Sequence, residues 1–160
     1  MKTREEIRDM IRDARIGMLT TTEGLNGRIH QRPMSVAEVD DQNRIWFFTD
    51  ETSHKVAELN SGGKVALGFL NNSDSEWLAI NGSATITKDR EKIKELWNPT
   101  YKAWFPEGLD SPNLALLCIE MEQASYWESK GGMIVTAYEM IKAAITGEPA
   151  DNGEHAVVQM

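Results

Sequence analysis

The amino-acid sequence predicts a single α+β domain in which about six short antiparallel strands form a barrel or a sandwich, flanked by a few helices. Runs of β-branched, aromatic and alternating apolar residues recur at short intervals and are separated by turn-forming residues. Stretches with helical spacing are few and lie between these runs. No internal repeat divides the 160-residue chain, and 41% hydrophobic residues suffice for one core.

The predicted elements follow one another along the chain. Thr3 and Glu6 have the spacing of a capping box, and apolar residues then repeat at i, i+3, i+4 and i+7, which predicts an amphipathic first helix. Residues 50–53 favour the start of a second helix, and Asp89 favours a third that ends at Trp97. The predicted strands comprise residues 16–22, 31–36, 44–49, 64–70, 76–87, 114–121 and 124–128.

Three further expectations concern single segments. Residues 29–55 are predicted as a hairpin with its turn at residues 40–43, followed by a short helix. Gly82 lies inside a long strand, which indicates a bulge or a close backbone approach. A final helix with an apolar stripe is predicted to begin at residues 131–132. The acidic and polar residues 147–160 are predicted to fray, so that the folded domain comprises residues 1–146.

Composition limits the class of partner. The net charge of −8 and the pI near 4.9 argue against nucleic acid, because a phosphate backbone requires a basic face. No apolar run approaches the roughly 18 residues that a membrane span needs. Cys118 is the only cysteine, lies in an apolar run and is predicted to be buried and structural. With no signal-like segment, these features predict a cytoplasmic protein with no membrane or nucleic-acid partner.

Arg32, Ser53 and Lys55 are the first candidates for a binding site. The start of the second helix offers free N–H groups and a positive dipole end. A lysine, an arginine and a hydroxyl near that point would suit a phosphate. The alternative is that Arg32 and Lys55 are solvated charges at the rim of the sheet. Neither side chain is expected to support the core.

The sequence predicts no metal site and identifies no catalytic residue. The three histidines, His30, His54 and His155, are scattered along the chain. The pair Asp40-Asp41 belongs to a turn, and no nucleophile stands beside a base. The catalytic residues therefore remain unknown at this point.

Three short motifs occur in a fixed order: Arg-Pro-Met at residues 32–34, Trp-Phe-Phe-Thr at 46–49 and Thr-Ser-His-Lys at 52–55. Their order and spacing resemble the pyridoxamine 5'-phosphate oxidase-like flavoproteins. Residues 96–127 resemble the general stress protein branch of that family. The resemblance covers the chain up to about Glu128 and implies a six-stranded antiparallel split β-barrel that binds FMN.

The resemblance also implies which residues hold the cofactor. In that family one strand runs beside the flavin, the end of the next lines the ribityl chain, and a Ser-Arg-Lys motif holds the phosphate. The corresponding residues here are Arg32, Pro33, Met34 and Ser35 for the ring and phosphate, Phe48 and Thr49 for the ribityl chain, and Ser53, His54 and Lys55 for the phosphate.

The sequence departs from true pyridoxamine phosphate oxidases at several positions. Ala37 stands where those enzymes carry a substrate lysine, and nothing after Trp127 resembles their Arg-x-His element. His54 replaces a permanent charge by a titratable one. Trp77 stands in place of a glutamine that hydrogen-bonds the flavin. Oxidation of vitamin B6 is therefore not expected.

The leading hypothesis is a cytoplasmic homodimer that holds FMN between its subunits and acts as an oxidoreductase on an unidentified small molecule. The first alternative is a non-catalytic protein that stores or senses flavin during stress. The second is a reductase that uses the deazaflavin F420. Trp127 either packs in the core and dimer interface or covers the flavin from across that interface.

Overall fold

One antiparallel sheet of eight strands organises the computed structural model, which describes residues 1–23, 27–59, 63–73, 75–129, 132–149 and 153–160. The strand order is β2-β1-β5-β6-β7-β4-β3, and β8 also pairs with β7. The predicted α+β, mainly antiparallel fold class is confirmed, with eight strands instead of six. The strands are β1 (Ile16–Thr22), β2 (Ile29–Ser35), β3 (Glu38–Val39), β4 (Arg44–Asp50), β5 (Lys64–Asn71), β6 (Glu76–Thr87), β7 (Leu114–Glu128) and β8 (Glu154–Gln159).

Strand β7 forms the centre of the sheet. It pairs with β6 over residues 116–128, while its other edge is shared by β4 and β8. Two separate strands were predicted here, at 114–121 and 124–128, and the structure shows one. The register between β6 and β7 shifts at Asn81/Gly82, and this bulge accommodates Glu122 without ending the strand.

The bulge and the close approach predicted at Gly82 are both confirmed. A Cβ atom at this position would lie 2.3 Å from the carbonyl oxygen of Glu120, so that only glycine lets the two backbones come this near.

The predicted hairpin at residues 29–55 is only partly correct. The turn at residues 40–43 does connect two paired strands, but these are the two-residue β3 and β4. Strand β2, which carries Arg32, pairs with β1 and lies at the edge of the sheet. The chain leaves β2 at Ser35, and β4 pairs instead with the more apolar β7 because both of its faces are buried.

Within the described residues, four α-helices flank the sheet: α1 (Arg4–Ala14), α2 (His54–Leu59), α3 (Arg90–Leu96) and α4 (Gly132–Thr146). The capping box of α1 is present, because Thr3 accepts a hydrogen bond from the N–H of Glu6 and the Glu6 side chain accepts one from the N–H of Thr3. Asp89 caps α3 as predicted. A 3₁₀ helix at Pro99–Ala103 follows α3.

The apolar residues form two clusters, one on each face of the strands near β4. The larger lies beneath α1 and includes Ile7, Ile11 and Phe47. The smaller lies beneath α3 and the 3₁₀ segment and includes Phe48 and Cys118. Cys118 is buried, as predicted, and burial raises the pKa of its thiol to about 11.

The C-terminal segment is predicted to fray, but the structure shows a strand there, β8. Residues of β8 pair antiparallel with Gln123–Glu128 of β7, and Val158 is buried in the larger cluster. Strand β7 extends beyond β4 and leaves an unpaired edge, and β8 satisfies its backbone groups. The assignment of residues 1–146 as the folded domain stays a prediction, but it omits this strand.

Helix α4 is exposed over the part whose side chains the structure describes. Met140 and Ile141 of the predicted apolar stripe are exposed there, as are Tyr138 and Ile145, so the described part of the stripe is not packed on the core. Gly131, at the predicted start of the helix, lies outside the described residues. None of the helices within the described ranges is long and apolar enough to cross a membrane.

Candidate functional site

A cleft of about 580 Å³ lies where β2, the end of β4, the start of α2 and the 3₁₀ segment meet. Seven of the nine predicted cofactor-binding residues line this cleft, although they come from three separate elements. Those seven are Arg32, Pro33, Met34, Ser35, Phe48, Thr49 and Lys55.

Lys55 is the most unusual of these residues. Its ammonium group is half-buried and forms no ion pair or hydrogen bond with any residue that the structure describes. Burial lowers the pKa of Lys55, and so does the nearby Arg32 guanidinium, while Asp50 and Glu58 act in the opposite direction. A buried cation beside a second cation is unfavourable unless an anion approaches, so the site favours binding of an anion.

Ser53 and His54 do not line the cleft, although they directly precede Lys55. The Ser53 hydroxyl is buried and has no hydrogen-bond partner among the described residues. Its main chain begins α2, since its carbonyl accepts a hydrogen bond from the N–H of Val56. The His54 side chain is 85% exposed, with Nδ1 3.7 Å from Glu58 Oε1. With only six residues, α2 is too short for the predicted dipole effect to carry the site.

The other side of Arg32 contacts a buried carboxylate that the sequence did not reveal. Arg32 Nη2 lies 3.1 Å from Glu58 Oε2, and Nη1 donates a hydrogen bond to Thr21 Oγ1. Glu58 is only 5% exposed, and its two oxygens also contact the Thr21 hydroxyl and His30 Nδ1. Arg32 therefore does support the interior, contrary to the expectation from the sequence.

The hydrogen bonds around Glu58 outweigh its burial. Burial alone would raise the pKa of this carboxyl, but donors from Thr21, His30 and Arg32 lower it to about 2. Glu58 thus stays ionised at neutral pH. One signal for this cluster was available: His30 and Arg32 are two residues apart on one strand and share a face, and a glutamate falls between the apolar residues of α2.

Aromatic side chains that were not predicted as site residues form the opposite wall of the cleft. Tyr101, Trp104 and Phe105, from the 3₁₀ segment and the residues after it, line the cleft together with Phe48. The Phe48 and Tyr101 ring centroids are 4.7 Å apart, while Trp104 is 69% exposed at the rim. A planar, largely apolar ligand with an anionic end would match this cleft.

A second groove, of about 480 Å³, lies on the exposed face of the sheet. Met18, Leu70, Trp77 and Trp127 are each more than 40% exposed there. Trp77 pairs with Trp127 across β6 and β7, and Trp127 stacks on His155 at 4.7 Å between ring centroids. Two residues that line this apolar groove also line the cleft, namely Ile16 and Pro33.

Comparison with known proteins identifies the family. Residues 2–151 match the family described as pyridoxamine 5'-phosphate oxidase like, and the chain belongs to this family. A curated relative, the protein bli-3 of Neurospora crassa, is 27% identical over 145 residues, which cover 85% of this chain and 69% of the relative. The family inferred from the three short motifs is therefore confirmed.

Solved structures agree in fold and in branch. A candidate general stress protein 26 of Jannaschia sp. CCS1 is 29% identical with a TM-score of 0.75, over 98% of this chain and 97% of the other. A general stress FMN/FAD binding protein of Xanthomonas citri is also 29% identical, with a TM-score of 0.69 over 81% of this chain and 90% of its own. The predicted split barrel, an antiparallel sheet curled into a half-barrel, is confirmed.

Proposed function

We propose that this protein is a flavoprotein that binds FMN in the cleft, with the phosphate held by Lys55 and Arg32. Lys55 carries the proposal, because it is a half-buried cation without an anionic partner among the described residues and has Arg32 beside it. A phosphate dianion would relieve the repulsion between these two cations. The Ser53 hydroxyl, two residues before Lys55, is buried without a hydrogen-bond partner among the described residues, but it does not line the cleft.

The remainder of the cleft suits the rest of the cofactor. Met34, Phe48 and Thr49 form a mainly apolar wall, and Tyr101 and Phe105 face the same space. A family relative, the Xanthomonas citri protein, is named for FMN/FAD binding. The volume of about 580 Å³ falls within the usual range for cofactor sites. His54 is too exposed to be a main ligand and would be an auxiliary one at most.

We infer an oxidoreductase activity on an unidentified small molecule. When bound, FMN would supply the redox chemistry, and the protein would bind, orient and shield it. Ala37 is partly buried against the smaller apolar cluster and offers no charge for a substrate phosphate. The substrate is thus expected to differ from the phosphorylated forms of vitamin B6.

A non-catalytic role in flavin storage or sensing is the second candidate. If Arg32 and Lys55 hold the cofactor phosphate, Asp50 is the only other charged residue among the described residues that line the cleft. Its carboxylate already accepts two hydrogen bonds from Thr52. The described part of the cleft therefore contains no spare cation to anchor an acidic substrate.

The absorbance spectrum of the reconstituted protein tests the proposal and separates the candidates. We expect a flavin spectrum that NADH or NADPH bleaches, since an oxidoreductase must accept electrons from a donor. A flavin spectrum that neither donor bleaches would favour storage or sensing. A deazaflavin spectrum of protein purified with its native cofactor would instead favour F420.

We also propose that the protein is a cytoplasmic homodimer whose subunits meet at the apolar groove. Met18, Leu70, Trp77 and Trp127 form an apolar surface that a second copy would cover. Because Ile16 and Pro33 line both the groove and the cleft, a partner subunit bound at the groove would also form part of the wall of the flavin site. Trp127 lines only the groove of its own subunit, which suits a contact across the interface.

A further inference from the structure

Glu58 lies directly behind the cleft without lining it. Its side chain is buried, and its carboxylate is bound by Arg32, Thr21 and His30, with His54 nearby at 3.7 Å. These contacts come from β1, β2 and α2, so that three elements converge on one acidic group. A ligand in the cleft cannot touch Glu58, and any effect on the ligand must therefore act through Arg32 or through space.

We propose that Glu58 is a countercharge that limits the affinity of the cleft for phosphate, so that a phosphate alone is held weakly and only a ligand with both a phosphate and a ring system is retained. This inference rests on the proposed function, because it assigns the phosphate end of the ligand to Arg32 and Lys55. It concerns free phosphate and simple phosphate esters, which must be excluded if the cleft is to hold a flavin.

The charges at this end of the cleft can be counted directly. At pH 8 a typical histidine is neutral. Arg32 and Lys55 contribute +1 each and Glu58 contributes −1, so the net charge of these three side chains is +1. Neutralising Glu58 would give +2, and neutralising Arg32 would give 0. Asp50, which also lines the cleft, is the same in all of these cases.

In this arrangement the charge of Glu58 should affect phosphate binding more than the influence of Glu58 on the orientation of Arg32 does. A carboxylate directly behind a bound phosphate dianion, in partly buried surroundings, weakens phosphate binding by about tenfold or more. Orientation of Arg32 depends less on Glu58, because the guanidinium also donates to Thr21. Replacing Glu58 by glutamine keeps an acceptor oxygen in place, so Arg32 would remain near its present position.

Four proteins test the countercharge: the wild type, Glu58→Gln, Arg32→Gln and the double variant. Binding of inorganic phosphate, FMN and riboflavin is measured by calorimetry at pH 8. We expect phosphate and FMN to bind about tenfold more tightly to Glu58→Gln than to the wild type. The double variant, with a net charge of +1, should bind both more tightly than Arg32→Gln, whose net charge is 0. Riboflavin has no phosphate, so its affinity should not change.

The control variant is Glu95→Gln, which changes the total charge equally but on α3, where Glu95 is 61% exposed. It should leave phosphate and FMN binding unchanged. If Glu58→Gln binds phosphate and FMN equally or more weakly than the wild type, Glu58 only orients Arg32 and the proposal is overturned. Equal loss of FMN and riboflavin affinity would indicate a structural role and would overturn it as well.

A second readout needs no ligand and separates this proposal from the flavin assignment. Glu58 acts to raise the pKa of Lys55, whereas Arg32 acts to lower it. Nuclear magnetic resonance of ¹³C-methylated Lys55 in the ligand-free protein should show a lower pKa in Glu58→Gln and a higher one in Arg32→Gln. If the Lys55 pKa is the same in all four proteins, the countercharge proposal fails even if FMN binds. If it shifts as expected and FMN does not bind, only the flavin assignment fails.

Discussion

At the scale of single residues, the contact between Arg32 and Glu58 gives Arg32 a structural role in addition to its place in the cleft. Arg32 is at once a lining residue of the cleft and the main cation beside a buried carboxylate. Lys55 differs, because it faces the same cleft but has no charged partner in contact within the described residues. The two basic residues of one proposed phosphate site should therefore respond differently to substitution.

Arg32→Ala should destabilise the fold, while Lys55→Ala should not. Removing Arg32 leaves Glu58 ionised and buried beside Thr21 and His30, which costs roughly 3 kcal/mol. Removing Lys55 removes the cost of half-burying its charge, and should change the free energy of unfolding by less than about 0.5 kcal/mol. Urea denaturation of both variants measures the difference, and Arg32→Ala/Glu58→Gln should recover part of the loss. Equal stability of the two single variants would contradict the buried pair.

The depressed pKa of Glu58 predicts a specific dependence of stability on pH. Unfolded, the carboxyl titrates near 4.5, and in the folded protein its pKa is about 2. Its contribution is therefore complete above about pH 4.5 and is lost as the pH falls towards 2. The difference in unfolding free energy between the wild type and Glu58→Gln should shrink by roughly 2–3 kcal/mol from pH 6 to pH 2. A constant difference over that range would show that Glu58 is not held as an ionised group.

The sequence predicted most residues of the cleft but not how they are held together. Seven of the nine predicted residues line one cleft, because their motifs lie on strands and loops whose local patterns were read correctly. Glu58 and the wall formed by Tyr101, Trp104 and Phe105 were missed. Their positions depend on how β2 and α2 meet and on how the 3₁₀ segment folds over β4, and such tertiary contacts leave little trace in local spacing.

At the scale of secondary structure, β8 is the element that differs most from expectation. Its polar flanks resemble a frayed tail, yet Val157 and Val158 alternate between the two faces of the sheet. The reason is again tertiary: β7 is long enough to have an open edge beyond β4, and this edge exists only in the assembled sheet. The bulge at Gly82 was predictable, since glycine inside a strand is a local signal.

Substitution of the two valines tests whether β8 belongs to the folded domain. Val158 is 8% exposed and packs in the larger cluster, so Val158→Ala should lower the unfolding free energy by about 1–2 kcal/mol. Val157 is 42% exposed, and Val157→Ala should have less than half of that effect. Thermal unfolding compares the two variants. If Val158→Ala is as stable as the wild type, the C-terminal segment is not part of the core.

At the scale of the whole molecule, the apolar groove predicts assembly into a dimer. Leu70 is 45% exposed at its centre, and Leu70→Asp would place a charge in the proposed interface. Sedimentation should give about 36 kDa for the wild type, twice the 18.0 kDa of one chain, and a monomer for Leu70→Asp with weaker FMN binding. The control is Ile145→Asp, which alters the 79% exposed end of α4 and should remain dimeric. A wild-type monomer saturated with FMN would contradict the shared site.

If a phosphate anchor on Lys55 selects FMN, calorimetry should distinguish FMN from riboflavin. FMN and riboflavin are titrated into the wild type and into Lys55→Ala under identical conditions. We expect the wild type to bind FMN much more tightly than riboflavin, and Lys55→Ala to lose about 1.5–3 kcal/mol of FMN binding, the scale of a charge-assisted hydrogen bond, while riboflavin binding is unchanged. Equal affinities of FMN and riboflavin for the wild type, or an unchanged FMN affinity in Lys55→Ala, would contradict the account.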